Sequence, residues 1–340
     1  MKKQFFSVAV ATSVLMAGTS VAQADLLDDV MERGYVQCGV TEGLPGFSSP
    51  DDNNNWTGLE VDYCRAMAAA IFDDPEAVRY TPLTTAVRFE SLSSGNIDVL
   101  SRTTTWTMSR DTDLGISFVG VTFYDGQGFI VREDLGVSSV LDLDGAAVCI
   151  QSGTTTELNA TDFFASNGMD ASNFLTFASR PETVQAYTEG RCDTYTTDAS
   201  GIAGDRTRFD VPSDHVILPE IISKEPLGPS VRAGDTRWFN VARWVLNAWI
   251  GAEELGVTSE NVDDMLGSEN PEIRRLLGVE GDFGTPIGLS PDWAYRIVSH
   301  VGNYGESFEA NVGPDTPLGL ERGLNALWTD GGIHYPMPIR

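Results

Sequence analysis

The sequence predicts an α/β protein built as two lobes, with a cleft between them and two hinge crossings. Three observations predict it. Strand-like and helix-like segments alternate from Leu26 to Gly256. Two extended segments with glycines, 118–131 and 225–232, break the alternation and are suited to pass between lobes. The chain is long enough for two separate cores. This division assigns residues 25–128 and 228–340 to lobe 1, which carries a C-terminal extension, and 129–227 to lobe 2. Hinge closure around a ligand belongs to such an architecture.

Of the 340 residues, 1–24 read as a secretory signal. Lys2 and Lys3 give the positive start, an apolar run follows from Phe5 to Met16, and Ala22-Gln23-Ala24 is a small-residue cleavage site. The run is too short for a convincing membrane span, although an uncleaved anchor is the alternative. Cleavage after Ala24 makes Asp25 the first residue. The formal net charge of −27 repels nucleic acid and anionic lipid, so neither is an expected partner. The four cysteines are Cys38, Cys64, Cys149 and Cys192. Export permits disulfides, and four cysteines allow three connectivities. The pairs Cys38–Cys64 and Cys149–Cys192 each stay within one lobe, whereas a bridge between lobes would oppose hinge motion. No C-x-x-C occurs, and His215, His300 and His334 lie far from the cysteines, so no metal site is expected.

Leu26–Arg33 reads as a helix ended by Gly34, followed by a strand at 35–40. The Gly/Pro-broken loop 42–49 comes next, at a strand end where open α/β sheets place binding groups. Asp51, Asn53, Asn55 and Asp62 partly match a calcium-loop spacing. Trp56 stands where that loop needs Gly, and Asp62 where it has Glu, so a turn followed by a helix at 61–72 is the better reading. A helix at 84–94 closes on Gly95 and leads into the strand 96–100.

The stretch S-R-T-T-T-W-T-M-S-R-D (101–111) then offers Thr103, Thr105 and other hydroxyls before Arg110. Arg presents a planar fork that matches two carboxylate oxygens, and hydroxyls add donors. The alternative is a solvated Thr-rich turn. A second α/β unit begins near Ser138. Its strand, 146–150, runs into Gln151-Ser152-Gly153-Thr154-Thr155-Thr156-Glu157 at a helix start. Free N–H groups at such a start favour an anion, and a plain N-cap at Thr154 or Thr155 is the alternative. A helix at 181–189 and a strand at 192–196 bring Thr197-Asp198 to a strand end. A lone Asp there is usually a turn or cap, but facing an Arg across a cleft it can hold a ligand ammonium. Trp238, Val241, Trp244, Val245, Ala248 and Trp249 recur at helical spacing and read as core. Short helices and turns fill the chain beyond Gly256. Asn159-Ala160-Thr161 fits a glycosylation acceptor by chance.

Several segments together carry a resemblance: R-F-E-S-L-S-S-G-N-I-D-V-L, T-T-T-W-T-M-S-R-D, F-Y-D-G-Q-G-F, V-C-I-Q-S-G-T-T-T-E-L, T-Y-T-T-D, V-G-N-Y-G-E and R-G-L-N-A-L-W. In this order they resemble the type II periplasmic binding proteins, and most closely the general L-amino-acid-binding components of polar amino acid ABC transporters (solute-binding protein family 3). The last two segments lie outside the minimal fold. The resemblance implies a periplasmic monomer without cofactor. It captures a broad range of L-amino acids, Glu, Asp, Gln and Asn among them, by venus-flytrap closure and delivers them to membrane permease subunits.

The resemblance also implies roles. Arg110 clamps the α-carboxylate with Thr105 and the backbone at Thr103. Thr155, with Thr154 and the N–H groups after Gly153, holds it from lobe 2, and Asp198 accepts from the α-ammonium. Leu44 stands where many relatives have an aromatic, Thr85 faces the ligand side chain, and Arg88 meets a side-chain carboxylate in acidic-amino-acid binders. An exposed helix arginine is the alternative for Arg88. Rival readings are a cyclohexadienyl dehydratase-like enzyme and an amino-acid sensor module. The enzyme needs a positioned general acid, and none stands out among the cleft segments. Arg110 with Asp198 disfavours a sugar ligand.

Overall fold

The structure is a computed structural model that describes residues 25–340. The signal segment expected at 1–24, with the cleavage expected after Ala24, lies outside the described residues. In chain order the first half contains α1 (Leu26–Arg33), β1 (Val36–Val40), the hairpin β2 (Ser49–Pro50) and β3 (Trp56–Thr57), α2 (Leu59–Phe72), β4 (Val78–Pro82), α3 (Arg88–Ser93), β5 (Val99–Leu100), α4 (Met108–Asp113), β6 (Ile116–Phe118), β7 (Phe123–Asp125) and β8 (Gln127–Arg132). There follow β9 (Val148–Gln151), α5 (Thr155–Ser166), β10 (Phe174–Phe177), α6 (Arg180–Thr188), β11 (Thr194–Asp198), α7 (Ala199–Arg206), β12 (His215–Ile217), β13 (Glu225–Leu227) and β14 (Ser230–Arg232). Helices α8 (Thr236–Glu254), α9 (Val262–Met265), α10 (Pro271–Leu276), α11 (Trp293–Val301) and α12 (Tyr304–Asn311) complete the chain. The helix expected at 84–94 forms only at Arg88–Ser93, because the chain turns through Thr84–Val87 first.

Two five-stranded sheets repeat one plan. The first runs β4-β1-β5-β14-β6 and the second β10-β9-β11-β8-β12. In each, three parallel strands are joined by an antiparallel strand that a crossing delivers from the other lobe: β14 in the first sheet and β8 in the second. Between the sheets, β7 and β13 pair antiparallel as a short ribbon, with Asp125 opposite Glu225 and Tyr124 opposite Pro226. The expected extended crossing is thus split at Gly126 into a hinge strand and a sheet strand.

Burial follows strand periodicity. In β8 and β9, Phe129, Val131, Val148 and Ile150 face one core of the second sheet, while Ile130 and Cys149 face the other. That is the period-two alternation of a sheet covered on both faces. The core of the first lobe forms around α2 and α8, where Trp238, Val241, Val245, Ala248 and Trp249 are buried. Trp238 Nε1 donates to Asp98 O at 2.9 Å, which satisfies its one polar atom. Cys38–Cys64 ties β1 to α2, and Cys149–Cys192 ties β9 to the approach of β11, with Cα separations of 6.3 and 5.6 Å. Each closes a loop within one sheet unit and is worth about 3–4 kcal/mol on the chain-entropy account.

The second crossing returns past Gly120 so closely that a Cβ on Gly228 would lie 1.9 Å from the Gly120 carbonyl oxygen. Gly228→Ala is expected to destabilise by about 1–3 kcal/mol or more, read as a lower unfolding midpoint. Gly267→Ala, which meets only an ordinary 3.4 Å contact, is expected to stay within about 0.5 kcal/mol.

Candidate ligand-binding cleft

Every parallel strand of both sheets ends at the same space. A cavity of about 280 Å³ lies there. Lobe 1 lines it with Thr41 to Gly43 after β1, Thr85 and Arg88 after β4, and Arg102, Thr103, Thr105 and Arg110 after β5. Lobe 2 lines it with Gln151 and Thr154 to Thr156 after β9, Arg180 and the face of α6 after β10, and Thr197 and Asp198 at the end of β11. This is the crevice at the carboxyl ends of strands that open α/β sheets offer to ligands. The lobes touch across it. Gln151 Nε2 donates to Thr85 Oγ1 at 2.9 Å, the Thr105 and Thr155 hydroxyls lie 3.4 Å apart, and Arg208 donates to Gly43 O (2.9 Å) and Ser49 Oγ (2.8 Å).

Arg110 projects from α4, whose N-terminus is capped by Thr107. The residue is 9% exposed, and its Nη1 donates to Thr105 O at 2.9 Å. Burial lowers its pKa, opposed by Glu225 and Asp198. Arg110 and Arg88 share the Phe89 ring, at 5.4 and 4.6 Å from its centroid. Arg88 is 4% exposed, and its buried Nε has no partner among the described residues. Burial, with Arg102 and Arg110 nearby, pushes its pKa well down. The structure therefore places Arg88 in the cavity wall and not on an exposed helix face. Arg102 is held by Leu83 O (2.7 Å) and Thr85 Oγ1 (3.2 Å), and burial lowers it to about 10 despite Glu60 and Glu42. Arg180 also suffers burial, but Asp205 more than offsets it and raises its pKa. Its Nε contacts both Asp205 oxygens at 3.1 and 3.0 Å.

Facing these cations is an acidic corner at the hinge. Asp198 closes β11 and makes no side-chain cap. Burial, then Asp125 and Glu225 beside it, push its pKa well above the carboxylate range, against Arg180 and Arg110. Asp125, on the hinge strand, accepts from Gly126 N (2.8 Å), Ser200 N (3.3 Å) and the Ser200 hydroxyl, so it steadies the start of α7 just after Asp198. Burial raises Asp125 to about 6. Glu225 is fully enclosed. It accepts from Thr105 Oγ1 (2.6 Å) of lobe 1, from Thr155 Oγ1 (3.1 Å) and Asn159 Nδ2 (2.6 Å) of lobe 2, and from Ser223 Oγ (2.7 Å).

Four expected contacts are placed otherwise. The Thr103 N–H is taken by the buried Glu60 carboxylate, which holds Thr103 at φ 29° in the left-handed region. Burial raises Glu60 to about 7. Thr154 caps α5 and donates to Gln151 O at 2.7 Å, so its hydroxyl serves the turn. Gly153 is exposed and its N–H goes to Glu157 Oε2 at 3.0 Å. Leu44 does not line the cavity. It is buried against α7, where its Cδ1 lies 3.2 Å from the position a Cβ on Gly204 would take. Thr85, Arg88, Thr105, Arg110, Thr155 and Asp198 do come together. Glu60, Arg102, Asp125, Arg180 and Glu225 join them without a clear signature in the sequence. Arg102 lay inside the hydroxyl stretch and Arg180 at a strand-to-helix junction, and those positions are the only signals that pointed to them.

The chain matches the bacterial extracellular solute-binding proteins, family 3, over residues 36–262. It is 54% identical to the general L-amino acid-binding periplasmic protein AapJ of Rhizobium johnstonii over 342 aligned residues, covering all of both chains. It is 52% identical to the glutamate/glutamine/aspartate/asparagine-binding protein BztA of Rhodobacter capsulatus, again over all of both. A solved ABC transporter periplasmic binding protein from Brucella ovis, with glutathione bound, superposes with a TM-score of 0.91 at 53% identity, covering 93% of this chain and 100% of that one. The fold is that of the type II periplasmic binding proteins, and the chain belongs to the bacterial extracellular solute-binding proteins, family 3.

Proposed function

We propose that this chain is the periplasmic solute-binding component of an ABC importer. In this reading it captures a broad range of L-amino acids and delivers them to the membrane permease. The observation that carries the reading is that Arg110, on α4 of lobe 1, and Asp198, at a lobe 2 strand end, line one cavity between the lobes. A zwitterion offers a carboxylate to the first and an ammonium to the second. A buried charge left alone is strongly unfavourable, so a ligand lacking either group is rejected. The two bodies that close on it are those built on the two sheets; β8 of the second sheet already begins at Gln127, so the boundary expected after residue 128 falls at Gly126 instead. The mature chain begins at Asp25 and acts as a monomer.

The remaining wall extends the range. Arg88 and Arg102 can meet a side-chain carboxylate, while the Gln151 amide and Thr85 suit the amides of Gln and Asn. This agrees with the four ligands in the name of the Rhodobacter relative. Glutathione, bound in the Brucella structure, carries a γ-glutamyl head with a free α-amino group and α-carboxylate, so one clamp serves both ligand types. We read the chain as a binder and not an enzyme, as its full-length relatives are named; ligand recovered unchanged after incubation supports that.

Calorimetry on ligand-stripped protein tests the clamp. Arg110→Ala and Asp198→Asn are each expected to lose about 30-fold or more in affinity for every L-amino acid bound, from about 2–5 kcal/mol for truncating a buried charge partner. Amino-acid amides and decarboxylated amines should be silent against wild type. Near-wild-type binding by either variant overturns the assignment. Arg88→Met is expected to weaken L-glutamate and L-aspartate about tenfold or more and L-glutamine by less than about threefold. Equal losses for all of them would make Arg88 a structural residue.

Affinity should also depend on pH. Burial and the neighbouring Asp125 and Glu225 raise the pKa of Asp198 in the cleft wall, so an incoming ammonium competes with a proton there. Affinity for L-glutamine should therefore be higher at neutral than at acid pH. The ligand-free fold should show the opposite trend. With Asp125 at about 6 and Glu60 at about 7, folded carboxyls sit above their unfolded values. The stability this contributes is present at low pH and lost as pH rises through those values. A pH-independent affinity over this range contradicts the account.

A further inference from the structure

The family match ends at Val262, yet the chain continues to Arg340, and the continuation converges on the hinge. The Tyr124 N–H donates to Asn325 Oδ1 at 2.7 Å, and Asn325 Nδ2 donates back to Tyr124 O at 3.1 Å. The Tyr304 hydroxyl donates to Thr122 O at 2.7 Å. Phe308 stacks on Phe123 with centroids 6.0 Å apart and planes 6° from parallel. His334 packs its ring against both Tyr124 (5.2 Å) and Tyr304 (4.6 Å). Asn325, Tyr304 and His334 are all buried. The continuation is in turn fixed to lobe 1, where Arg322 donates to Asn325 O (3.1 Å) and to Glu253 Oε1 (2.7 Å) on α8.

The hinge needs such support. A two-stranded ribbon is marginal alone, and this one has three residues per strand. Tyr124 lies opposite Pro226, which has no N–H, and the Pro226 carbonyl is taken by Trp106 N at 2.8 Å. The backbone groups of Tyr124 therefore face the open edge, and the Asn325 amide meets both as a third strand would. One residue later the allegiance changes, because Asp125 is held by Ser200 of lobe 2. Tyr124 is thus bound to lobe 1 and Asp125 to lobe 2.

We infer that Asn325, with Tyr304 and His334, is a positioning residue for ligand capture: the C-terminal extension pins β7 to lobe 1, confines the pivot to the step from Tyr124 to Asp125, and so raises affinity from outside the cleft. The inference rests on the proposed closure around an amino acid. A pinned hinge gives a narrower open ensemble, and less freedom is lost on closing. The residues that touch the ligand are unchanged, so the ranking of ligands is unchanged too.

The test uses the mature full-length chain with spin labels on Asp52→Cys of lobe 1 and Ser166→Cys of lobe 2, native disulfides intact. In Asn325→Ala, the ligand-free distance distribution is expected to broaden. L-glutamine should dissociate about three- to tenfold faster, with the L-glutamate to L-glutamine affinity ratio unchanged. Tyr304→Phe, which keeps the ring and removes one hydrogen bond, should move both readouts the same way by less. Trp328→Ala removes a contact of the same extension with Glu254, away from the hinge, and should move neither. A lower unfolding temperature with unchanged distances and dissociation in both hinge variants would make the extension a stabiliser of lobe 1 only and overturn the inference. Failure of the wild-type chain to bind any L-amino acid would overturn the proposed function, while the ligand-free distances would still decide the pinning.

Discussion

Unneutralised charge in a closed space is the constraint on which this molecule depends. Arg88, Arg102 and Arg110 crowd one wall, and Asp125, Asp198 and Glu225 gather at the hinge. In water these groups would be solvated separately. Here they are desolvated together, and the pKa values of Arg88, Arg102, Arg110, Asp125 and Asp198 move in the directions that burial dictates. Such an arrangement is held by the covalent and hydrogen-bonded frame around it. Glu225 collects four donors from both lobes and the crossing, Asp125 is tied to the start of α7, and Glu60 fixes Thr103. The frame holds the Arg110 and Asp198 side chains in the wall of one cavity.

The frame follows from topology. Parallel strands put all their carboxyl ends on one side of a sheet, and two such sheets face each other across the cleft. Functional groups can then sit on short strand-end loops anchored by buried hydrophobic strands. The hinge ribbon supplies the geometry between sheets without a core of its own. Its order comes from its neighbours: the Glu225 network on one edge and the C-terminal extension on the other.

Strand-end residues were legible in the sequence because local pattern announces them. A short apolar run followed by hydroxyls and a charged residue, with Gly153 added in one case, places Arg110, Thr155 and Asp198 at or just beyond strand ends, and the order of motifs places those strand ends opposite each other. Other residues carry no local signature. Leu44 sits in a Gly/Pro loop after a strand, and only Gly204 on α7 decides that it packs between lobes and not against a ligand. Gly153 and Thr154 read equally as anion binders or as turn and cap, and Glu157 decides the first of them. Glu225 is one acid in a crossing segment, and its burial exists only after Thr105, Thr155 and Asn159 have assembled around it. Asn325 lies beyond the repeating α/β pattern and meets Tyr124 across a separation of 201 residues, which no periodicity reports.

The exchange of strands between sheets has a consequence for how the chain acquires its structure. Sheet two takes all five of its strands from one continuous stretch, Gln127 to Ile217, whereas sheet one waits for β14 at Ser230–Arg232 and for the cover of α8. A chain emerging from its N-terminus therefore completes its second lobe before its first. During that interval β1, β4 and β5 present an unfinished sheet whose β5 edge has no neighbour until β14 arrives. The Cys38–Cys64 link, closing only a short loop, can hold β1 and α2 together in the meantime. Non-local pairing of this kind slows folding and leaves strand edges open to wrong partners. The acidic surface, with its net charge of −27, keeps such half-built chains apart.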